Sequence, residues 1–502
     1  MEPLDPDISY RALQTRDPRF DGRLFVGVVS TGIYCRPICP ARTPKREHCR
    51  FFANSASAQA AGFRACLRCR PEIAPELAGW RGTSNTVSRA LALIAEGFLD
   101  REDGTVDALA THVGMGARQL RRLFDQHLGV APVVVAQTRR LLFAKQLLHD
   151  TRLSMTDVAI AGGFGSVRRF NHVFHTLYHT PPGELRRCSA QPSSTLPADA
   201  PVVLQLPYQQ PYDWQNMLDY LRARAIDGLE VVQDGLYRRS VLLDGLQGTV
   251  TVAHNPARHC LLATIRFPSV RALQAIVARV RHQFDVGADV DSIATHLSKD
   301  GALAPLIALR PGLRVPGCWD GFELAVRAVL GQQITVEAAR RLGGILVDLW
   351  GDRLLNSGEI RLTRTFPTAS RLATADLSRL GMPAARRATI KALAHAAVAN
   401  PRLFLPGKSL DEQIARLRAI DGIGAWTAHY IALRALREPD AFPAADVGLL
   451  RGAAQLEGVV VTAAQLLHRA EGWRPWRAYA AQYLWTITTR TSHAERKIRH
   501  GL

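Results

Sequence analysis

No stretch of the sequence approaches the roughly 18 uninterrupted apolar residues that a membrane-spanning helix needs. A secretory signal or an Arg-rich transit peptide is also missing from the start, Met1-Glu2-Pro3-Leu4-Asp5-Pro6-Asp7, which is acidic and broken by proline. Both absences point to the cytoplasm and to no membrane partner. Acidic residues are in deficit, 44 Asp and Glu against 63 Lys and Arg in 502 residues, which leaves a net charge of +19. Such an excess calls for a polyanion or serves only solubility, and nucleic acid is the usual polyanion. Hydrophobic residues at 47% and charged residues at 21% exclude wholesale disorder. There is no solenoid-type repeat. The eight cysteines do not make a disulfide scaffold, because such scaffolds are short and secreted.

At roughly 150 residues per domain, the length predicts three or four domains. Composition divides the chain into a cysteine-rich segment (1–76), a helical segment (84–187), a small-residue and proline-rich linker (188–201), a mixed α/β segment (202–298) and a second helical segment (299–495). The predicted class is a multidomain protein, predominantly α with α+β parts.

Five cysteines fall within 35 residues. Cys35 and Cys39 form one close pair, Cys66 and Cys69 another, with 26 residues between the pairs. Two such pairs make one tetrahedral thiolate site, and the metal it predicts is a single Zn2+. Cys49 lies between the pairs and reads as a spare thiol. Cys188, Cys260 and Cys318 are isolated and read as structural. Arg36, Arg42, Lys45, Arg46, Arg64, Arg68 and Arg70 surround the cluster; each reads singly as an exposed cation, and together they are candidates for holding phosphates.

Thr31-Gly32-Ile33-Tyr34-Cys35-Arg36-Pro37-Ile38-Cys39-Pro40, with Ala61-Gly62-Phe63-Arg64-Ala65-Cys66-Leu67-Arg68-Cys69, resembles the N-terminal domain of the Ada-type DNA alkylation-response proteins. The resemblance implies that Cys35 is both a zinc ligand and the nucleophile that takes a methyl group, once, from a methylphosphotriester in DNA. Metal-bound thiolates stay deprotonated at neutral pH, and four of them around one dication leave two surplus negative charges. Methylation removes one and lessens the repulsion from DNA.

Two helix-turn-helix patterns follow, Val106 to Phe124 and Met155 to Phe174, each an apolar helix, a Gly-containing turn and an Arg-bearing second helix. Phe170 and Phe174 share one buried face. The pair resembles the AraC/XylS-type DNA-binding module across residues 85–187. The resemblance puts base contacts around Gln119, Arg122, Arg168 and Asn171, and it implies a specific promoter and RNA polymerase as partners.

In the last segment, Leu417-Arg418-Ala419-Ile420-Asp421-Gly422-Ile423-Gly424-Ala425-Trp426-Thr427-Ala428 reads as a helix-hairpin-helix. Gly422 and Gly424 let the turn lie flat against a phosphate, and the amides of the next helix point at it. With Asp440-Ala441-Phe442-Pro443-Ala444-Ala445-Asp446-Val447-Gly448-Leu449, this resembles the AlkA-type base-excision glycosylases. Pro207 to Trp214 and Pro311 to Cys318 carry the likeness over residues 205–495.

That resemblance implies a monomeric helix-hairpin-helix glycosylase acting on double-stranded alkylated DNA. Asp446 would be the catalytic carboxylate and Trp426, Tyr430 and Trp485 the aromatic base pocket. Trp426 and Tyr430 are four apart and so share a helix face. A flipped cationic purine such as 3-methyladenine suits electron-rich rings. Gly331-Gln332-Gln333-Ile334 matches the loop that intercalates where the base leaves, with Gln333 in place of the family's leucine. No lysine lies in the hairpin or near Asp446, so a hydrolytic glycosylase without lyase activity is predicted. Asp440, Trp473 and Trp476 read as structural. The methyltransferase motif Pro-Cys-His-Arg is missing; His259-Cys260 does not replace it. Two other assignments fit the same motifs: a regulator whose glycosylase half only binds DNA, and a constitutive glycosylase targeted by its N-terminal half.

Overall fold

The computed structural model describes residues 5–75, 85–100, 103–187, 201–355 and 358–487. The chain divides into two compact units. The first comprises residues up to 209 with 238–281 and 286–288; the second comprises 210–237, 282–285 and 289 onward. Residues 202–298 therefore contribute to both. Helices dominate, as expected, and two small sheets supply the α+β parts. None of the helices among the described residues is long and apolar enough to cross a membrane. Residues 188–200 of the expected linker, with Cys188, and residues beyond 487 lie outside the described residues.

The first unit opens with the helix Pro6–Thr15. Asp5 caps it by accepting the amides of Asp7 and Ile8, and Pro6 at the first position loses no hydrogen bond there. A four-stranded sheet follows, built from β1 (Phe25–Val28), β2 (Ile33–Cys35), β3 (Cys49–Phe52) and β4 (Arg64–Ala65), in the order β3-β1-β2-β4. β1 pairs antiparallel with β2 and β3, whereas β4 runs parallel to β2. Leu13, Leu24, Val26 and Cys49 form the core under the sheet.

The next segment is helical. Val106–His112 and Ala117–Leu128 form one helix-turn-helix, Met155–Ala161 and Val167–Tyr178 the other, and Pro132–Asp150 joins them. Gly114 (φ +79°) and Gly163 (φ +76°) turn the chain at equivalent points of the two repeats, where a side chain would be strained. Leu120 and Phe124 in one second helix, and Phe170, Phe174 and Tyr178 in the other, are buried at helical spacing. In the second sheet, Val202–Pro207 and Leu246–Asn255 flank Cys260–Arg266, all antiparallel.

The second unit is almost entirely helical. Gly321–Leu330 is its central helix, apolar nearly all round. The hairpin is formed by Leu410–Arg418 and Ala425–Arg434. Asp446 caps the helix Val447–Glu457.

Candidate metal centre and active site

The cysteines converge because two short strands run in parallel. Tyr34 is in register with Ala65, and the Cys66 amide donates to the Tyr34 carbonyl at 3.0 Å. Cys35 and Cys66 thus leave adjacent strand ends together. A turn closed by the Cys39 amide on the Arg36 carbonyl (3.2 Å) brings Cys39 back, and the Arg36 amide donates to Cys69 Sγ at 3.3 Å. The four sulfurs of Cys35, Cys39, Cys66 and Cys69 lie within 4.8 Å of one another. A tetrahedron with Zn–S bonds of about 2.3 Å places sulfurs about 3.8 Å apart, so the donor set fits zinc with little movement.

Cys35 is the most accessible of the four; the other three are buried. Without a cation, its hydrogen bond with Cys39, followed by those with Cys66 and Cys69 and by burial, pushes the Cys35 thiol up. A bound dication reverses that preference.

Two of the candidate arginines, Arg36 and Arg70, are neither exposed nor available to phosphate. Arg36 is buried against Asp21, with Nε 2.8 Å from Oδ1. Its Nη1 also donates to the Cys69 carbonyl at 3.1 Å. Arg70 is paired with Glu72 and Asp150. Both guanidiniums are needed to balance buried carboxylates. Arg42 and Arg68 are exposed. Cys49 stands apart from the four sulfurs in β3 and donates to the Lys45 carbonyl at 3.3 Å. Cys260 is buried and Cys318 half-buried.

Gln119, Arg122, Arg168 and Asn171 all stand on the exposed faces of the two second helices, opposite Leu120, Phe124, Phe170 and Phe174.

In the second unit, Asp446 is both a helix cap and the centre of a hydrogen-bonded cluster. Its Oδ1 accepts the Leu449 amide at 3.0 Å and Trp485 Nε1 at 2.8 Å; its Oδ2 accepts Trp426 Nε1 at 2.7 Å. The helix N-terminus and two indole N–H groups fix an acceptor-only carboxylate in one orientation. Trp426 stacks on Tyr430 with centroids 5.5 Å apart, and Trp485 meets Tyr430 edge-on at 6.5 Å. The three expected aromatics and the acid therefore form one site.

Several members carry no local sequence signal. The Tyr220 hydroxyl is 3.2 Å from that of Tyr430. Arg434 is buried beneath the rings, its guanidinium carbon 4.7 Å from the centre of Tyr220 and 4.9 Å from that of Trp485. Burial alone would push the Tyr430 phenol up, but Arg434 and Arg224 outweigh it and hold it below its ordinary range. Gly448, part of the Asp446 motif, acts through space: a Cβ there would sit 3.0 Å from Asp446 Oδ1 and 3.1 Å from Trp485 Cδ1, so the missing side chain lets the indole reach the acid.

The hairpin and the adjoining loop are held together. Gly422 has φ +83°, and a Cβ there would lie 1.8 Å from Thr389 Oγ1; Gly424 faces open space. Gln332 Nε2 donates to the Gly422 carbonyl (3.2 Å) and to Thr427 Oγ1 (3.1 Å), while Arg386 Nη1 donates to the Gln332 carbonyl (2.9 Å). Gln333 is exposed with φ +57°, the left-handed region. Asp440 is paired with Arg474 and Arg477, and Trp473 and Trp476 are buried.

Residues 9–72, which contain all four clustered cysteines, match the family described as the metal binding domain of Ada. Residues 109–188 match a helix-turn-helix domain, and residues 203–320 the AlkA N-terminal domain. Over 481 residues, 95% of either chain, the sequence is 41% identical to the "Probable bifunctional transcriptional activator/DNA repair enzyme AlkA" of Mycobacterium tuberculosis. The chain belongs to the Ada/AlkA family. Its cysteine cluster and the Ada match together give this Ada/AlkA protein one zinc site. It is also 37% identical over 284 residues to DNA-3-methyladenine glycosylase 2 of Escherichia coli, a match covering 56% of this chain and 95% of that one. A solved structure, the 3-methyladenine DNA glycosylase of Archaeoglobus fulgidus, superimposes with a TM-score of 0.50 at 22% identity, over 56% of this Ada/AlkA chain and 96% of the other. That likeness concerns the fold.

Proposed function

We propose that this chain repairs alkylated DNA by two chemistries and reports one of them to transcription. The observation that carries the glycosylase reading is the Asp446 carboxylate, bound by two indole N–H groups of an aromatic pocket. Residues 1–76 form the methyl acceptor, 84–187 the promoter-reading module, 202–298 the mixed subdomain and 299–495 the glycosylase.

Excision of an alkylated purine such as 3-methyladenine breaks the bond from C1′ to the base nitrogen. The bonding electrons leave with the base, and positive charge builds on the deoxyribose. Asp446 Oδ2, held in place by Trp426, stabilises that charge while water adds to C1′ and gives up a proton to solvent. Water is the only nucleophile in this scheme. The hairpin from Leu410 to Arg434 contains no lysine, which supports hydrolysis without strand cleavage. Trp426, Tyr430 and Trp485 hold the flipped base. Gln333, with Gln332 behind it, fills the place it leaves. Gly422 and Gly424 clamp the backbone.

The second chemistry uses Cys35, the accessible ligand. Zinc, when bound, keeps the four sulfurs as thiolates at neutral pH. The Cys35 sulfur forms a bond to the methyl carbon, the carbon–oxygen bond of the methylphosphotriester breaks, and its electron pair stays on the phosphate. No proton is needed. The thioether is permanent, so each molecule reacts once. Lowered repulsion then lets Gln119, Arg122, Arg168 and Asn171 engage a promoter and RNA polymerase be recruited. The chain acts as a monomer in the cytoplasm.

Asp446→Asn is expected to abolish release of 3-methyladenine from alkylated duplex DNA while leaving DNA binding intact. Unchanged release overturns the glycosylase assignment. After exposure to methylated DNA, mass spectrometry should find a gain of one CH2 on Cys35; a gain on Cys49 alone rejects that nucleophile. Promoter affinity measured before and after methylation separates a switched regulator from a targeted glycosylase.

A further inference from the structure

Lys145 is among the fully buried charged side chains of the first unit. It lies on the helix that joins the two helix-turn-helix repeats, yet its side chain has no solvent exposure. A buried ammonium is retained only where partners surround it. Here they come from the cysteine segment. Nζ donates to the backbone carbonyl of Cys66 at 3.1 Å and is ion-paired with Glu72, which is equally buried. Glu72 also accepts Arg70 Nε at 3.0 Å, and Arg70 Nη2 reaches Asp150 at 2.8 Å. The network holds two cations and two anions and is neutral overall.

Each segment supplies two of its members. Lys145 and Asp150 belong to the helix Pro132–Asp150; Glu72 and Arg70 follow Cys69 directly. Arg70 sits in the left-handed region (φ +51°), and a non-glycine residue keeps that conformation only when its surroundings dictate it. The surroundings that do so are Glu72 and Asp150. The loop carrying Cys66 and Cys69 is therefore held on both sides by the DNA-reading segment. A third tie is independent of charge: Asn54 Nδ2 donates to the Leu128 carbonyl at 3.0 Å, at the end of the helix that carries Gln119 and Arg122.

We propose that Lys145 and Glu72 are positioning residues that couple the cysteine centre to the helix-turn-helix module. What is bound at the four sulfurs then sets the stability of the helix Pro132–Asp150, and that helix in turn sets how tightly the metal is held. Groups behind metal ligands commonly change metal affinity by 10- to 100-fold, and coupling of this kind is reciprocal. Because Lys145 touches the carbonyl of the ligand Cys66, the same contact would carry a change made at Cys35. That last step rests on the reading of Cys35 as methyl acceptor; the coupling to the metal does not.

The test uses the full chain, zinc-loaded and chelator-stripped, and reads amide hydrogen exchange across residues 132–150 and 117–128. In the wild type, stripping zinc is expected to speed exchange in Pro132–Asp150 by about tenfold or more. Lys145→Met alone leaves a buried carboxylate short of a counter-charge and is expected to lose folded protein. The double variant K145M/E72Q keeps volume and neutrality, and the Arg70–Asp150 pair with it. In that variant the zinc dependence of exchange should fall to within about twofold, and zinc affinity measured against a competing chelator should drop about tenfold. A merely structural role would raise exchange equally with and without zinc. Wild-type zinc dependence in the double variant, or no zinc dependence in the wild type, overturns the proposal. Methylation of Cys35 is scored separately by mass, so failure of that chemistry leaves this result readable.

Discussion

Gly422 and Gly424 are two residues apart in one turn and look equivalent in sequence, but the structure assigns them opposite sensitivities to Ala. At Gly422 two costs add. A left-handed Ala costs about 1–2 kcal/mol, and φ there is +83°. The new methyl would also lie 1.8 Å from Thr389 Oγ1 and 2.9 Å from Thr389 Cβ. Rotating the threonine clears the oxygen but not the Cβ, and Oγ1 is engaged with the Ala385 carbonyl at 3.1 Å. Thr389 is buried, so relief requires backbone movement, an overpacking cost of about 1–3 kcal/mol. We expect G422A to lose about 3 kcal/mol, which lowers the melting temperature of a unit of roughly 150–250 residues by about 6–12 °C. Gly424 has φ −80° and open space where the methyl would go. As a helix cap it loses under about 1 kcal/mol on change to Ala. Its methyl does, however, stand on the surface proposed to meet phosphate. G424A should therefore melt within about 3 °C of the wild type yet bind undamaged duplex more weakly, read by thermal unfolding and fluorescence anisotropy. G422A/T389A should recover part of the lost stability. Equal melting temperatures for the two single variants would refute the reasoning.

Other substitutions separate chemistry from folding. G448A pushes the Trp485 indole off Asp446 by a few tenths of an ångström; single-turnover excision should fall about tenfold, about 1.4 kcal/mol, with melting unchanged. Q333G relieves left-handed strain but adds unfolded-state entropy, two effects of about 1 kcal/mol that offset; stability should hold while excision drops on paired DNA and much less on single strands, where no base needs flipping. Burial pushes His149 from 6.5 down to about 4. Between those values the unfolded chain binds a proton that the folded chain does not, so stability is full above pH 6.5 and falls as pH drops toward 4. After discounting for partial exposure the loss is on the order of 1–2 kcal/mol, and H149Q should flatten it in denaturant titrations run across that window.

The cysteine cluster was legible because ligand chemistry is local: two close pairs on one chain segment define a donor set before any fold is known. The same holds for Trp426 and Tyr430, one helical turn apart. Asp446 was legible through its motif, but the two indoles that orient it come from 20 and 39 residues away, and only packing joins them. Tyr220, 210 residues before Tyr430, had no signal at all. Arg36 misled for a related reason. Beside a metal cluster in a basic chain it reads as a phosphate ligand, and nothing local reveals that Asp21 claims it. Lys145 was invisible because a lysine in an amphipathic helix is normally solvated. The fold class followed from composition and spacing, whereas the division of residues 202–298 between two compact units depends on contacts distant in sequence.

The alternation of charge between Glu72 and Lys145 also bears on how such a chain is assembled from parts. A gene fragment ending soon after Cys69 would inherit a carboxylate made for a lysine it no longer encodes, and the fragment beginning at the first helix-turn-helix would inherit the orphaned lysine. A cut at that seam therefore removes the partner of a buried charge on each side, so the two segments are expected to fold better joined than apart.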